Sequence, residues 1–396
     1  MTILPPQLPS PRKTLAGQGL LLAAAGAALF SLISITALQA FWAIAALFWF
    51  ELLAEKKRRF EAPGFFWPLI VYVGWSLLAA AASTNQAASL ASSRKMLIFL
   101  VVPIIPAAFS ALRDVRLAID AIFLSGLVSV LYSWVHFFLQ PAKIGDPERI
   151  RGFMGHYMTQ AGLLGLFLSL ALATIIFGRG PRRWAWAALL PPTAGALMLT
   201  YTRNAWIGVG AALVVVLFLW KPKALILAPV LAVLIYLAGP ASVKSRVRSI
   251  FDSADNSNIA RLEYARAGLK IIGERPVFGT GPDTVHVVFQ DPKYGLSDYS
   301  RRNVHLHNNF LQIAAERGVP ALLAWLAFLG WAAASLLRRF KNEKGELKAL
   351  AAAGLAALAA LVTAGLFEYN FGDAEVALFF LLIVTLPFAG RQDEAR

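Results

Sequence analysis

The sequence predicts an all-α polytopic membrane protein with about 12 transmembrane helices. Of its 396 residues, 58% are hydrophobic and only 15% are charged, whereas a soluble domain carries about 25% charged residues. The mean hydropathy is +0.62. The apolar residues form long runs without the alternating polar positions of a barrel strand. Helices are therefore the only way to satisfy the backbone of these runs inside a bilayer.

Twelve apolar runs, most of them close to one bilayer in length, are the predicted spans. They lie near residues 16–34, 37–54, 65–82, 96–112, 117–139, 157–178, 184–201, 205–220, 224–239, 318–337, 349–367 and 375–390. Arg12 and Lys13 precede the first run, which we interpret as a retained helix because no small-residue cleavage site follows it. We expect residues 1–239 to contain helices one to nine and residues 307–396 to contain the last three.

Every second loop between the runs is basic, which predicts the orientation of the chain. The basic residues of these loops are Lys56, Lys57, Arg58, Arg59, Arg113, Arg116, Arg179, Arg182, Arg183, Lys221, Lys223, Arg338, Arg339, Lys341, Lys344 and Lys348. We expect these loops and both termini to be cytoplasmic. Because much of the formal net charge of +15 is divided among these short loops, the charge does not indicate nucleic-acid binding.

The segment 240–306 is the largest one on the opposite, periplasmic side, and it is too long and too rich in charged and aromatic residues for a linker. We expect it to form a helical periplasmic cap. Within it, residues 259–272 place Ile259, Leu262, Leu269 and Ile272 at helical spacing, as in an amphipathic helix at a membrane interface. Gly279 and Gly281 lack the strand and helix of a dinucleotide site and are interpreted as a turn.

All five histidines fall on the outer side: His136, His156, His286, His305 and His307. Histidine is the natural proton acceptor near neutral pH, although an interfacial histidine bonded to a carbonyl or a headgroup is the alternative for any one of them. His305 and His307 are two residues apart, which suits metal ligands on a strand better than on a helix, and no HExxH pattern accompanies them. We therefore predict no metal. The chain contains no cysteine.

Arginines are the second candidate feature, because a guanidinium binds phosphate oxygens with a planar fork. Arg203 lies in a very short outer turn, where arginine is disfavoured unless it has a specific role. Further arginines occur in the cap: Arg246, Arg248, Arg261, Arg266, Arg275, Arg301 and Arg302. Pairing with lipid headgroups or with nearby carboxylates is the alternative. Glu368, Asn370, Asp373 and Glu375 lie in the last outer loop and could orient His307 or an arginine, with a solvated loop as the alternative.

These motifs resemble the O-antigen ligase and polymerase superfamily. The resemblance rests on Arg203 with Ala205 and Trp206, on the cap residues from Arg261 through Pro276 to Gly281, and on the run from His307 to Gly318. It implies a GT-C-type membrane glycosyltransferase at the periplasmic face of a Gram-negative inner membrane. The implied donor is a polysaccharide on undecaprenyl diphosphate, and the implied ligase acceptor is the lipid A core oligosaccharide. Transfer in this superfamily inverts the anomeric carbon without a metal or another cofactor.

Carried over by position, the essential histidine of the superfamily falls on His307 and its diphosphate-binding arginines fall on Arg203 and Arg261. His307 would accept the proton of the acceptor hydroxyl, and the arginines would stabilise the leaving diphosphate. Possible supporting residues are His305, Asn308, Arg266, Arg301, Arg302 and Glu368.

Two other functions stay open at this stage. An O-antigen polymerase or a protein O-oligosaccharyltransferase would use related motifs with a different acceptor. A secondary transporter would also have many spans, but transporters hold ionisable groups near the bilayer midplane. The predicted spans here are almost uncharged, with Asp120 as an exception near a cytoplasmic end.

Overall fold

A computed structural model describes residues 14–139 and 149–390, and the regular secondary structure of these residues is helical throughout. The helices of the first half are α1 (Leu15–Phe30), α2 (Ile35–Ala54), α3 (Phe66–Ala81), α4 (Gln86–Ser93), α5 (Val101–Ala108), α6 (Leu112–Leu139), α7 (Tyr157–Phe177) and α8 (Arg182–Met198). Arg12, Lys13 and the two chain termini, for which the sequence made predictions, lie outside the described residues.

The second half begins with the two helices α9 (Arg203–Trp220) and α10 (Leu227–Ala238). Four helices of the predicted cap follow: α11 (Ala241–Arg248), α12 (Asn256–Glu274), α13 (Val285–Val288) and α14 (Asp298–Arg301). The chain then continues into α15 (Asn309–Asn342), α16 (Gly345–Ala364) and α17 (Ala374–Thr385).

Each of the twelve predicted apolar runs coincides with a helix or with consecutive helical segments. Within the described residues, seven helical segments are long and apolar enough to cross a membrane: Ile35–Ala54, Gln86–Ala108, Leu112–Leu139, Tyr157–Phe177, Arg203–Trp220, Asn309–Asn342 and Gly345–Ala364. Four shorter apolar helices are Leu15–Phe30, Phe66–Ala81, Pro222–Ala238 and Ala374–Phe388. The prediction of a polytopic helical membrane protein is confirmed, while the number of twelve spans stays a prediction.

The centre of the bundle is formed by α7, α16 and α17. Every residue of α17 from Val376 to Thr385 is buried, and a helix that is apolar on all sides is expected to be enclosed in this way. The alanine-rich α16 packs against α7, α9 and α15. A Cβ atom at Gly208 of α9 would lie 2.9 Å from the carbonyl oxygen of Ala360, so small residues allow these two helices to approach closely. By contrast, α10 buries no residue.

Ion pairs join three of the basic loops at one end of the bundle. Arg116 lies 2.6 Å from Glu346, and Arg182 lies 2.7 Å from Asp120 and 3.6 Å from the second oxygen of Glu346. The cap contacts the outer helix ends instead, where Trp75 Nε1 donates to the carbonyl of Val277. The bundle thus has a basic end and a cap end, as the alternation of loop charge predicted.

The predicted amphipathic helix is present as α12, but most of its apolar stripe does not face the protein. Ile259, Leu262 and Leu269 are exposed, whereas Ile272 is partly buried against the cap. The buried face instead carries small residues and one tyrosine: Ala260, Tyr264, Ala267, Gly268 and Ile271. This face packs against α15 and contributes to a small hydrophobic core of the cap, separate from the core of the bundle.

Helix α15 is broken at Gly318, whose φ of 80° and ψ of 168° are not helical. Pro320 follows the break and has no N–H to donate to the carbonyl of Glu316. The N–H of Val319 also leaves the helix and donates to the carbonyl of Pro276 at 2.8 Å. The break therefore frees carbonyl groups that need other partners.

The glycine turn of the cap supplies those partners. Thr280 N–H donates to the carbonyl of Ala315 at 2.9 Å, and Gly281 N–H donates to the carbonyl of Glu316 at 2.8 Å. Gly279 has a φ of 65°, and a Cβ atom there would lie 2.4 Å from the Ala315 carbonyl oxygen. The segment that the sequence suggested to be only a turn thus joins the cap to the broken helix.

Candidate functional site

A cavity of about 490 Å³ lies between the cap and the outer ends of α7 and α9. Its charged and titratable lining residues are Arg149, Arg203, Arg246, Arg261, Asp255, His156, His305 and His307, together with Tyr157, Tyr201, Tyr264 and Tyr299. Among the described residues of this lining, the arginines exceed the single carboxylate by three formal charges. A partly buried space with this imbalance favours an anionic ligand, because the guanidinium groups repel one another without one.

The mutual repulsion is visible at Arg246. Burial lowers the pKa of its guanidinium, and the charges of Arg203, Arg149 and Arg261 lower it further, while Asp255 acts in the opposite direction. Guanidinium groups remain protonated even so. The described lining of the cavity therefore carries a net positive charge at neutral pH.

His307 and Glu368 form a hydrogen-bonded pair at the edge of this cavity. His307 Nδ1 lies 2.9 Å from Glu368 Oε2. Glu368 comes from the loop between α16 and α17 and is buried. Burial by itself raises the pKa of its carboxyl, but the hydrogen bond from His307 and the charges of His307 and His305 outweigh burial and lower it. An ionised carboxylate only accepts hydrogen bonds, so His307 Nδ1 carries the hydrogen of this bond, and in a neutral imidazole the lone pair is then on Nε2.

A strained backbone presents His307. Its φ of 49° is in the left-handed region, which is uncommon for a residue other than glycine. Such strain costs about 1–3 kcal/mol and occurs preferentially at functional sites. Asn308 follows as the N-cap of α15: its side chain accepts from the N–H groups of Phe310 and Leu311 and donates to the carbonyl of Leu366. Asn308 thus fixes the turn and does not line the cavity.

His305 contacts both members of the His307–Glu368 pair. The His305 and His307 rings meet edge to face with centroids 4.2 Å apart, and His305 Nε2 lies 3.6 Å from Glu368 Oε1. Burial lowers the pKa of His305 to about 4; Glu368 opposes this shift, and the charge of His307 adds to it. His305 is therefore neutral at physiological pH.

Ligand atoms of His305, His307 and Glu368 all lie within 4.8 Å of one another, so these residues could hold a metal ion. In the sequence, only the two histidines suggest metal ligands, because Glu368 follows 61 residues after His307 and only the fold brings it near. Arg261 lies close enough for Glu368 to affect its pKa. This nearby positive charge disfavours a cation at the cluster.

Arg203, the first residue of α9, is directed into the cap. Its Nη1 donates to the carbonyl and the hydroxyl of Ser249 at 2.7 and 2.9 Å. Its Nη2 donates to Asp255, Ser257 and Asn258 at 3.0 to 3.1 Å. The side chain is 5% exposed. These contacts explain an arginine in a short outer turn, because Arg203 attaches the cap to the bundle.

Arg261 projects from α12 towards the loop that carries Glu368. Its Nη1 donates to the hydroxyl of Ser257 at 2.7 Å, and its Nε donates to the carbonyl of Phe367 at 3.3 Å. Burial lowers the pKa of Arg261, as does the charge of Arg203, while Glu368 and Asp255 raise it. Arg261 is thus the cavity arginine that directly contacts the loop of Glu368.

Three predicted supporting arginines do not line the cavity. Arg266 and Arg302 are exposed, and Arg301 lies 3.7 Å from Asp298. Arg149 was not predicted as a functional residue, and Arg246 was noted only as one of the arginines of the cap. The argument used for Arg203, its place in a very short outer turn, does not apply to Arg149, which lies in the longer loop between the predicted spans 117–139 and 157–178.

Residues 188–326 match the family model described as O-Antigen ligase. The matched segment contains Arg203, Arg261 and His307 and ends before Glu368. The chain matches no curated protein sequence. The family match confirms the resemblance to the O-antigen ligase and polymerase superfamily.

Proposed function

We propose, on the premise of the family match over residues 188–326, that this protein is an inverting GT-C-type glycosyltransferase that works without a metal. It would move O-antigen polysaccharide from undecaprenyl diphosphate to the lipid A core oligosaccharide. The reaction would take place at the periplasmic face of a Gram-negative inner membrane. The observation that carries the proposal is the His307–Glu368 pair, which borders a cavity with an excess of arginine.

In this reaction His307 is the general base. The acceptor hydroxyl gives its proton to His307 Nε2 as its oxygen bonds to the anomeric carbon and the bond to the diphosphate breaks. Glu368 holds the ring in the required tautomer through Nδ1 and stabilises the imidazolium that forms. A base positioned in this way accelerates transfer by roughly 10²- to 10⁴-fold.

The arginines act on the leaving group. The diphosphate gains negative charge as the glycosidic bond breaks, so fixed positive charges stabilise the transition state more than the bound donor. Arg261 donates a hydrogen bond to the carbonyl of Phe367, the residue before Glu368. This bond places Arg261 beside the proposed His307–Glu368 base. This excess of guanidinium supports a mechanism in which arginines replace the divalent cation of other glycosyltransferases.

The test is reconstitution of the purified protein in liposomes with lipid-linked polysaccharide and lipid A core. Transfer that persists with a chelator supports both the reaction and its metal independence. Transfer that stops with the chelator and returns with a divalent cation would instead assign a metal to the cluster of His305, His307 and Glu368. Proton-coupled solute uptake without transfer would contradict the enzyme proposal.

The acceptor separates ligase from polymerase. Loss of a ligase leaves complete polymer on the undecaprenyl carrier, whereas loss of a polymerase leaves single repeat units attached to the core. In a strain that carries His307→Ala with normal protein levels, we expect the first pattern. Fully capped lipopolysaccharide in that strain would contradict the role of His307.

A further inference from the structure

The hydrogen bonds of Arg203 leave it little capacity for a ligand. Both of its Nη atoms donate to the cap, to Ser249 on one side and to the group of Asp255, Ser257 and Asn258 on the other. A bound anion would have to replace these contacts, and a buried donor or acceptor left without its partner is costly. Arg203 is therefore built as an anchor for the cap.

Arg246 has the opposite arrangement. Its Nε donates to the carbonyl of Tyr201 at 3.2 Å, which fixes the side chain in the cavity wall. Its Nη1 lies 3.7 Å from Asp255, beyond hydrogen-bonding distance. Within the described part of the chain, neither Nη atom of Arg246 makes a hydrogen bond, and the side chain is 26% exposed. The guanidinium of Arg246 is thus held in place, and its Nη atoms can donate to a ligand in the cavity.

Arg149 completes this part of the cavity. Its guanidinium carbon lies 4.4 Å from the centre of the Tyr157 ring, a contact that holds the flat group in position. Arg149 lies close enough to Arg246 for its charge to oppose that of Arg246. Two positioned guanidinium groups that repel each other favour an anion between them.

We propose that Arg246 and Arg149, together with Arg261, contact a phosphate-bearing group in the cavity, and that Arg203 anchors the cap without contacting it. The source of the phosphate rests on the proposed function: it is the diphosphate of the lipid-linked donor or a phosphate carried by the acceptor oligosaccharide. Both present the same chemistry to a guanidinium fork.

The first experiment measures binding alone. Inorganic pyrophosphate is titrated into the purified full-length protein by calorimetry, with chelator present. Loss of a charge-assisted contact to a phosphate corresponds to about ten- to a hundredfold in affinity, so we expect Arg246→Gln and Arg149→Gln to weaken binding by that factor. Arg248→Gln is the matched control, because Arg248 lies on the same helix and does not line the cavity. Equal affinity of Arg246→Gln, Arg248→Gln and the unaltered protein would overturn the proposal.

Arg203→Lys tests the other half of the proposal. We expect a lower Tm and faster proteolysis of the cap, since one ammonium cannot reproduce the bonds of both Nη atoms. Folded Arg203→Lys protein should keep its pyrophosphate affinity within about threefold, well under the effect of losing a direct phosphate contact. An unchanged Tm with a tenfold or greater loss of affinity would identify Arg203 as a phosphate ligand and contradict its assignment as an anchor.

Transfer kinetics distinguish the two sources. If the phosphate belongs to the donor, Arg246→Gln raises KM for the lipid-linked polysaccharide and leaves KM for the acceptor unchanged. If it belongs to the acceptor, KM rises for the acceptor, and a dephosphorylated acceptor removes the difference. An unchanged KM for both substrates would overturn the assignment. Because the pyrophosphate titration needs no transfer, failure of the glycosyltransferase proposal would be seen separately.

Discussion

At the scale of single residues, the site depends on how His307 is held. Its left-handed backbone, its bond to Glu368 and the ring of His305 fix the imidazole from three directions. The sequence indicated His307 through the motif and suggested that Glu368 could orient it. It could not establish the pair, because the two residues are joined only through the fold.

The Glu368 pair leads to a prediction about catalysis. Glu368→Gln should lower kcat by about 10²- to 10⁴-fold, because the uncharged amide neither enforces the Nδ1–H tautomer nor stabilises the imidazolium. Steady-state transfer kinetics with purified protein measure the effect. Glu375→Gln, in the first turn of α17, is the control and should retain activity. A Glu368→Gln enzyme with normal kcat would remove Glu368 from the mechanism.

His305 leads to a prediction about stability. Its folded pKa of about 4 lies below the ordinary value of 6.5, so between these values the unfolded chain binds more protons than the folded one. Protonation of His305 in the unfolded chain therefore lowers the free energy of unfolding. This loss is absent above pH 6.5, grows as the pH falls to about 4 and is constant below that pH. His305→Gln should therefore gain up to about 3 kcal/mol relative to the unaltered protein across this window.

Thermal unfolding from pH 4 to 8 measures this effect. The groups that act on His305 are Glu368, His307 and His156, and all remain in the variant. The two Tm curves should run parallel above pH 6.5, and below it the Tm of His305→Gln should fall less than that of the unaltered protein. Parallel curves over the whole range would contradict the lowered pKa of His305.

At the scale of elements, the junction of α15 with the glycine turn connects the cap to the membrane helices. The sequence predicted that a membrane span begins near Gly318 and gave no indication that the helix continues across this residue with a break. The structure pairs the break with Thr280 and Gly281, whose N–H groups satisfy carbonyls that the helix leaves free. The glycine turn and the break in α15 are thus parts of one hydrogen-bonded unit.

Gly318→Ala tests the junction. A Cβ atom there would lie 1.9 Å from the carbonyl oxygen of Val277, and the φ of 80° disfavours any side chain. We expect a loss of about 2–4 kcal/mol or failure to fold, measured as Tm and as proteolysis of the cap. Gly330→Ala on the same helix is the control: no atom lies within 4 Å, so a gain of about 0.5–1 kcal/mol is expected. Equal behaviour of the two variants would contradict the strain at Gly318.

At the scale of the whole molecule, the charges of the loops and the ion pairs both indicate that the two ends of the bundle differ. The basic loops with Arg116 and Arg182 meet at Glu346, and the cap lies at the other end. Which end faces the periplasm is predicted from the charge asymmetry. The same orientation would place the cavity on the side where lipid-linked polysaccharide is presented.

The orientation can be tested directly because the chain contains no cysteine. Ser253→Cys in the cap should react with a membrane-impermeant maleimide in intact spheroplasts. Lys344→Cys, in the basic loop before α16, should react only after the membrane is opened. The reverse labelling pattern would contradict the predicted orientation and place the cavity in the cytoplasm.

The sequence by itself determined the helical membrane class and the alternation of loop charge, and it predicted the cap of residues 240–306 and the candidates His307, Arg203 and Arg261. These features depend on composition and local periodicity, which residues express without distant partners. Only the tertiary structure decided that Glu368 bonds His307, that both Nη atoms of Arg203 are bonded to the cap and that, among the described residues, the Nη atoms of Arg246 make no hydrogen bond. Such contacts join residues far apart in the chain, so their geometry exists only after the helices have packed.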